Sequence, residues 1–250
     1  LHVTPFLDPA FQLQRADGTR FLATNYLPVD VDKFSISEVL TTQPADNVKV
    51  TRYAVSTPGA VDPSKGVLLN SGQAPRLTVW RWNEQLNRWL IVSHANFNTP
   101  LQAICDQKPV VMTKEPIVAT PSDVALGKQL AARWFQLLIA GQASALMHPE
   151  IQAQSASGEG YTTINNYHQG SVKSAELSDF EVTRHGDIIV VSLAVKATGT
   201  RYGGSTELSE RVNPRLLTFL RLKSGEWRLI ASATFNPPVR VDASLPCTMR

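Results

Sequence analysis

The chain has 250 residues, 43% of them hydrophobic, and its 24 Lys and Arg outnumber its 21 Asp and Glu by three. This composition is typical of a globular protein, and the length suffices for two domains with separate cores. No apolar run reaches the roughly 20 residues of a membrane-spanning helix, and the scattered basic residues argue against a nucleic-acid partner, which needs a concentrated basic face.

Two segments of the chain resemble each other at a separation of 140 positions. Asp8 to Gly18 aligns with His148 to Gly158, and Trp89 to Pro100 aligns with Trp227 to Pro238 after a small drift. A repeat this long is a whole domain, since solenoid repeats span about 20 to 50 residues. We therefore predict a first domain over 1–100, a linker over 101–119, and a second domain with a C-terminal tail over 120–250.

The first copy contains alternating and β-branched segments that predict an antiparallel meander. Its strands are expected at Ser35 to Thr41, Val48 to Ser56, Leu77 to Asn83 and Trp89 to Phe97. The helix that opens the second copy has no counterpart here. We therefore expect the native protein to continue upstream of Leu1, or to have lost that part.

The second copy opens with a helix signal. Thr120 suits the N-cap, Pro121 the first helical position, and Asp123 lies three residues after the cap. An apolar face formed by Leu130, Trp134, Leu137 and Leu138 follows, and Gly141 is the expected stop.

A short helix near Ala143 to Met147 and a strand from Ile151 to Ser155 come next, followed by a small helix over Thr162 to His168. The later strands are expected at Ala175 to Arg184, Ile188 to Ala197, Arg215 to Leu222 and Trp227 to Phe235. Helices followed by a four-stranded meander predict an α+β fold, with the helices on one face of a curved sheet.

The two cysteines occupy similar places. Cys105 follows the first copy and Cys247 follows the second. This placement fits a disulfide between linker and tail, as in an oxidising compartment, and fits two free thiols equally well. No spacing typical of a metal site accompanies them, so we expect neither metal nor cofactor. Secreted, periplasmic and cytoplasmic locations all stay open.

The order of elements resembles a known superfamily. A helix ending at Gly141, a turn through His148 and Pro149, a strand reaching Gly158, and a meander closing on Gly225-Glu226-Trp227 look like an NTF2-like domain, closest to the SnoaL-like and DUF4440-type members. The resemblance implies a cone-shaped (cystatin-like) cavity between the helices and the concave face of each sheet. The superfamily includes isomerases, cyclases, dehydratases and non-catalytic binding modules, so the fold alone does not indicate a function.

The resemblance also locates a catalytic base, which this chain lacks. Isomerase-like members place an Asp three residues before the glycine that follows the first strand. Ser155 and Arg15 occupy those positions, and Asp17 should point elsewhere. On the last strand, alternation puts Trp227, Leu229, Ala231 and Ala233 on one face, which the resemblance assigns to the cavity.

The first copy offers Ser93 and Ala95 to the cavity, which leaves His94 on the opposite face with a surface or interface role. His148 and His185 lie in turns and are expected to be solvated. Candidates for lining a ligand pocket in the second copy are Trp134, Ser155, Tyr161, Tyr167 and His168. The alternative is that its aromatic residues simply fill the core.

The late strands are apolar on both faces, since Leu90 and Val92 accompany Trp89 and Ile91. The face away from the helices therefore needs a partner. Either the other half of the chain supplies it, as an intramolecular pseudo-dimer, or the equivalent sheet of another subunit does. The favoured function is non-catalytic binding of a small apolar molecule or a protein. The alternatives are an isomerase, cyclase or dehydratase acting on a small hydrophobic substrate, and a secreted or periplasmic scaffold.

Overall fold

The structure is a computed structural model that describes residues 4–105, 119–156, 158, 160–161, 164, 171–201, 206–207, 212–239, 241 and 246–248. Mixed sheets dominate these residues, and one long helix accompanies them. This is an α+β architecture. Within the described part of the chain, no helix is long and apolar enough to cross a membrane.

A 3-10 turn at Thr4–Phe6 opens the first half. Its strands are β1 (Leu7–Arg15), β2 (Arg20–Leu22), β3 (Ser35–Ala45), β4 (Val48–Ser56), β5 (Val61–Asp62), β6 (Val67–Leu69), β7 (Ala74–Asn83), β8 (Arg88–Asn96) and β9 (Pro100–Ala103). They form a six-stranded sheet in the order β2-β1-β8-β7-β4-β3 and a small sheet in the order β5-β6-β9.

Helix α1 (Pro121–Ile139) and a 3-10 turn at Ala143–Ala145 open the second half. Its strands are β10 (Met147–Ser155), β11 (Gly160–Tyr161), β12 (Ser171–His185), β13 (Ile188–Arg201), β14 (Thr206–Glu207), β15 (Asn213–Arg221) and β16 (Trp227–Thr234). They form a sheet in the order β11-β10-β16-β15-β13-β12, with β14 paired to β13.

The predicted meander strands are all present, with ends that differ by a few residues. The predicted start of α1 is confirmed: the Thr120 hydroxyl accepts a hydrogen bond from the Asp123 backbone N–H, and the Asp123 carboxylate accepts one from the Thr120 backbone N–H. Gly141 follows the helix with φ of 71°, a conformation that favours glycine. The predicted helix over Thr162 to His168 lies almost entirely outside the described residues.

The two large sheets have the same topology. In each, the first strand pairs in parallel with the last one (β1 with β8, β10 with β16) and antiparallel with a short strand, and the meander order is the same. Both last strands also carry a bulge at the same place, at Val92 in β8 and at Ile230 in β16.

One face of each sheet packs against the other sheet in a shared core. The core contains residues of the first half, among them Val48, Val50, Leu77, Val79 and Phe97, together with Ile188, Val190, Leu216, Leu220 and Phe235 of the second. The Phe97 and Phe235 rings stack with their centroids 4.3 Å apart.

Two buried glutamines cross this interface reciprocally. Gln12 Nε2 donates to Val190 O at 3.0 Å and to Thr183 Oγ1 at 3.0 Å. Gln152 Nε2 donates to Val50 O at 2.6 Å and to Thr42 Oγ1 at 3.2 Å. Each contact therefore occurs twice, related by an approximate twofold axis.

The bulges correct one prediction. Simple alternation would keep Leu229, Ala231 and Ala233 on one face. Instead Leu229 packs in the core under α1, while Ala231 and Ala233 lie in the core between the sheets. The reason is the extra residue at each bulge, which reverses the facing of all later residues.

The C-terminal tail returns to the first half. Cys105 and Cys247 form a disulfide, and Thr248 exchanges backbone hydrogen bonds with Cys105 and Ala103 at 2.8 and 2.9 Å. Val241 packs on a small core that contains Ala60 and other apolar residues of the first half. The tail of the second half is thus fixed, covalently and by backbone pairing, to the end of β9.

Candidate functional site

The outer face of the first sheet, opposite the shared core, carries a cluster of polar and aromatic side chains. We call it the polar cluster. Its members come from β1, β4, β5, β7, β8 and the segment after β2, and each interacts with at least one other by hydrogen bond, ion pair or charge. They are Arg15, Tyr26, Tyr53, Asp62, Arg76, Thr78 and His94.

Arg15 and Asp62 form a buried ion pair within this cluster. Arg15 Nη1 lies 2.5 Å from Asp62 Oδ2, and both side chains are at most 4% exposed. Arg15 also donates to Leu27 O at 2.9 Å and stacks on the Phe21 ring, while Asp62 accepts from the Ser64 hydroxyl at 2.6 Å. These contacts neutralise both charges, because each has an opposite charge and further hydrogen bonds.

Arg76 is the second buried guanidinium of the cluster, and it is 5% exposed. Within the described part of the chain its acceptors are all neutral: Asn98 Oδ1, Pro75 O at 2.8 Å and Ala74 O at 3.3 Å. Burial, with a smaller contribution from the Arg15 charge, lowers the pKa of Arg76 to about 10. Arg76 still carries its charge at neutral pH.

A hydrogen-bonded row crosses the same face. Tyr53 Oη lies 3.2 Å from Thr78 Oγ1, which lies 2.8 Å from His94 Nδ1. Burial raises the pKa of Tyr53, as it does that of Tyr26. Burial, Arg76 and Arg15 together lower the pKa of His94 to about 3. The imidazole is therefore neutral at pH 7, and the cluster holds two guanidinium charges against one carboxylate.

The prediction that His94 lies on the face opposite Ser93 and the cavity, with a surface or interface role, needs correction. The bulge at Val92 turns Ser93 toward the second half, where its hydroxyl lies 2.8 Å from Thr218 Oγ1, and turns His94 into the polar cluster. A single-strand alternation pattern cannot show a bulge, since the bulge depends on pairing with the neighbouring strand.

The equivalent face of the second sheet is largely apolar and filled. Arg215, which corresponds to Arg76, is also buried and donates to Pro214 O and Phe235 O. Thr78 pairs with His94 across β7 and β8, whereas the corresponding ladder pair on β15 and β16 is Leu217 with Ser232. Helix α1 packs on this face, where Trp134 lies in a core with Leu130, Phe135, Leu217 and Phe219, among others. Trp134 is 5% exposed, so it is a core residue of this half.

The other pocket candidates are not brought together in the described residues. Ser155 is buried at the end of β10, opposite Thr234. The backbone of Tyr161, in β11, pairs with Ala153 of β10, while Tyr167 and His168 lie outside the described residues.

The two histidines predicted to lie in turns are in strands and make specific contacts. His148, in β10, is half-buried and accepts a hydrogen bond at Nδ1 from the Glu150 backbone N–H at 3.1 Å, and burial lowers its pKa. His185 Nδ1 lies 2.9 Å from Oδ1 of the fully buried Asp8, whose Oδ2 also lies 2.9 Å from Arg81 Nη2. This three-residue contact joins the two halves. His185 was expected to be solvated, and a contact between the halves was not predicted.

Sequence reasoning missed Arg76, Tyr53 and Asp62. The one available signal was an arginine inside a strand whose neighbours at the next alternate positions, Ala74 and Thr78, are small or polar. Within the described residues, no group of three or more His, Cys, Asp or Glu could hold a metal ion.

Comparison with known proteins gives similarities in structure. No family model matches the chain, and no curated protein does. Among solved structures, it is similar to an NTF2-like protein from Cytophaga hutchinsonii (20% identity, 47% of this chain and 98% of that one, TM-score 0.38). It is also similar to an NTF2-like superfamily protein from Salmonella enterica (12%, 50% and 98%, 0.41) and to the association domain of CaMKII from C. elegans (15%, 47% and 100%, 0.34). Each match spans about half of the chain.

Proposed function

We propose that this chain is a non-catalytic protein of two NTF2-like domains in tandem, over 1–100 and 120–250, and that the polar cluster of the first domain binds a small organic anion. The equal strand order of the two large sheets and the bulge at the same place in both support the tandem arrangement. The SnoaL-like and DUF4440-type members remain the subtype whose motifs the sequence resembles.

One observation gives the strongest support to the proposal that the ligand is an anion. Arg76 is a buried guanidinium whose described acceptors are neutral, beside an Arg15–Asp62 pair that is already balanced. A buried charge without an opposite charge is costly, and a bound carboxylate would balance it. Tyr26 and Tyr53, both half-buried, add aromatic surface and hydroxyl groups next to it.

The same cluster is poorly suited to proton transfer. His94, with a pKa of about 3, is a weak base at neutral pH. Asp62 is held by Arg15 and Ser64, and Arg15 itself occupies the position of the isomerase-like base. These features favour binding over the alternative of an isomerase, cyclase or dehydratase.

Calorimetry with benzoate and its neutral isostere benzamide tests the proposal. We expect benzoate to bind and benzamide not to, and Arg76→Met to weaken benzoate binding at least about tenfold, because a charge-assisted hydrogen bond contributes roughly 1.5 to 3 kcal/mol. Arg221→Met, which removes an exposed arginine from β15, is the matched control. Equal binding of the two ligands, or none by either, would overturn the proposal. Protein-catalysed deuterium exchange at the carbon next to the carbonyl of an added ketone would instead support the alternative of an enzyme.

A further inference from the structure

The outer face of the first sheet exposes apolar side chains at β3, where α1 covers the second sheet. Strands β3 and β12 are corresponding edge strands, and each has a bulge at the same place in its ladder. This register matches Ile36 with Leu177 and Val39 with Phe180. Leu177 and Phe180 pack against the core under α1, whereas Ile36 and Val39 are 53% and 57% exposed. Two positions that α1 covers in the second half are therefore open in the first.

Two threonines distinguish this open face from the helix-packing face of the second sheet. Thr41 and Thr51 correspond to Val182 and Val191, which lie next to Gly127 of α1. Thr41 is exposed, Thr51 is half-buried, and their hydroxyl oxygens lie 3.1 Å apart. A helix packed here would remove these hydroxyls from water, which is costly. We therefore interpret this face as a surface for a small ligand rather than for a helix.

The exposed apolar residues lie beside the polar cluster. Val39 lies in the β3 bulge opposite Tyr53, and Tyr53 pairs with Arg76 across β4 and β7. Because neighbouring strands lie about 4.8 Å apart, Val39 and Arg76 are separated by roughly 10 Å. The face thus has a guanidinium with neutral described acceptors at one end. An exposed apolar surface lies at the other end, and the half-buried ring of Tyr53 lies between them.

We propose that the anion bound at the polar cluster is a single-chain aliphatic carboxylate of about eight carbons, the length that fits this span. This inference rests on the proposed function. The carboxylate lies at Arg76, and the chain crosses the Tyr53 ring and ends on Val39 and Ile36. With carbon–carbon bonds of about 1.5 Å, an extended chain of this length spans the distance from the charge to the apolar surface. Charge complementarity sets its direction, since the cluster holds two guanidinium groups against one carboxylate.

Calorimetry with octanoate, butanoate and neutral octanamide tests the charge and the chain separately. We expect octanoate to bind at least about tenfold more tightly than butanoate, because each fully buried methylene strengthens binding about fourfold. Octanamide should bind at least about tenfold more weakly than octanoate. If the two carboxylates bind equally well, the chain assignment is wrong while the anion site stands. If neither they nor benzoate binds, the proposed function is wrong as well.

A double variant locates the chain. Ile36→Thr with Val39→Thr keeps both side chains β-branched and exposed, and it should weaken octanoate binding at least about fivefold while butanoate binds as before. The matched control is Leu86→Thr, which removes an equally exposed apolar side chain from the β7–β8 hairpin and should change neither affinity. Octanoate binding that is unchanged in the double variant would refute the assignment.

Nuclear Overhauser effects give a direct readout in the unaltered protein. With the isoleucine and valine methyl groups labelled, the terminal methyl protons of octanoate should show contacts to Ile36 and Val39. Contacts to other methyl groups alone would place the chain elsewhere and overturn the proposal.

Discussion

At the scale of single residues, the two buried arginines of the polar cluster are stabilised in different ways. The ion pair of Arg15 and Asp62 is balanced, whereas Arg76 relies on Asn98 and two carbonyls. Their combined positive charge also acts on His94, since a proton there would add a third cation to the cluster. The cluster therefore stabilises the neutral imidazole.

The lowered pKa of His94 predicts a pH dependence of stability. The folded-state pKa is about 3, below the usual value near 6.5. Below about pH 6.5 the His94 imidazole is therefore protonated in the unfolded chain but not in the folded protein. As a result, the free energy of unfolding falls as the pH drops toward 3. We expect His94→Gln to lose less stability than the unaltered protein between pH 7 and pH 5, measured by urea unfolding.

A companion measurement separates this effect from other titrating groups. The His94 imidazole signals in NMR spectra should not shift between pH 5 and pH 8. A His94 titration near pH 6.5, or identical pH dependence of the variant and the unaltered protein, would contradict the placement of His94 beside Arg76.

At the scale of secondary structure elements, the contact of α1 with the second sheet depends on a glycine. Gly127 is buried in the middle of the helix, and a Cβ added there would lie 2.6 Å from Val182 Cγ1 and 3.2 Å from Val191 Cγ2. Glycine weakens a helix by roughly 1 kcal/mol relative to alanine. A glycine is nevertheless needed at this position, because any side chain would collide with the closely packed sheet.

Gly127→Ala should therefore destabilise the protein, by about 1 to 3 kcal/mol, because the overpacking outweighs the gain in helix propensity. Chemical unfolding followed by circular dichroism measures the change. Val182→Ala should recover part of the loss when combined with Gly127→Ala, since it removes the colliding methyl groups. Gln129→Ala, at an exposed position of the same helix, is the control and should be close to neutral. A stabilised Gly127→Ala would show that the helix lies farther from β12.

The elements that the sequence predicted well are those decided locally. The capping box at Thr120 and Asp123 and the β-branched run from Ile188 depend on neighbouring residues, and both are present as expected. The facing of His94 depends on a bulge opposite β7, and the fit of Gly127 depends on Val182, far away in the chain. Such features belong to tertiary packing, so no single segment contains the information.

At the scale of the whole molecule, the large sheets form one cooperative unit around the shared core. Val50 and Val190 are fully buried in it, and Ser93 bonds Thr218 across it. Each half therefore completes the other's apolar face. The apolar face that each large sheet would otherwise expose is therefore covered within the chain, and the disulfide from Cys105 to Cys247 holds the tail of the second half on the first.

This arrangement predicts a monomer of 27.4 kDa in sedimentation equilibrium, because the apolar face that drives dimerisation is covered. It also predicts one unfolding transition, with circular dichroism and tryptophan fluorescence changing together, since neither half keeps the shared core when the other unfolds. The tryptophan fluorescence reports on both halves, because Trp80, Trp82 and Trp89 lie in the first half and Trp134 and Trp227 lie in the second. A fluorescence change that precedes the loss of circular dichroism would mean that the halves unfold separately. A mass near twice the monomer value would mean that the sheets instead pair between chains.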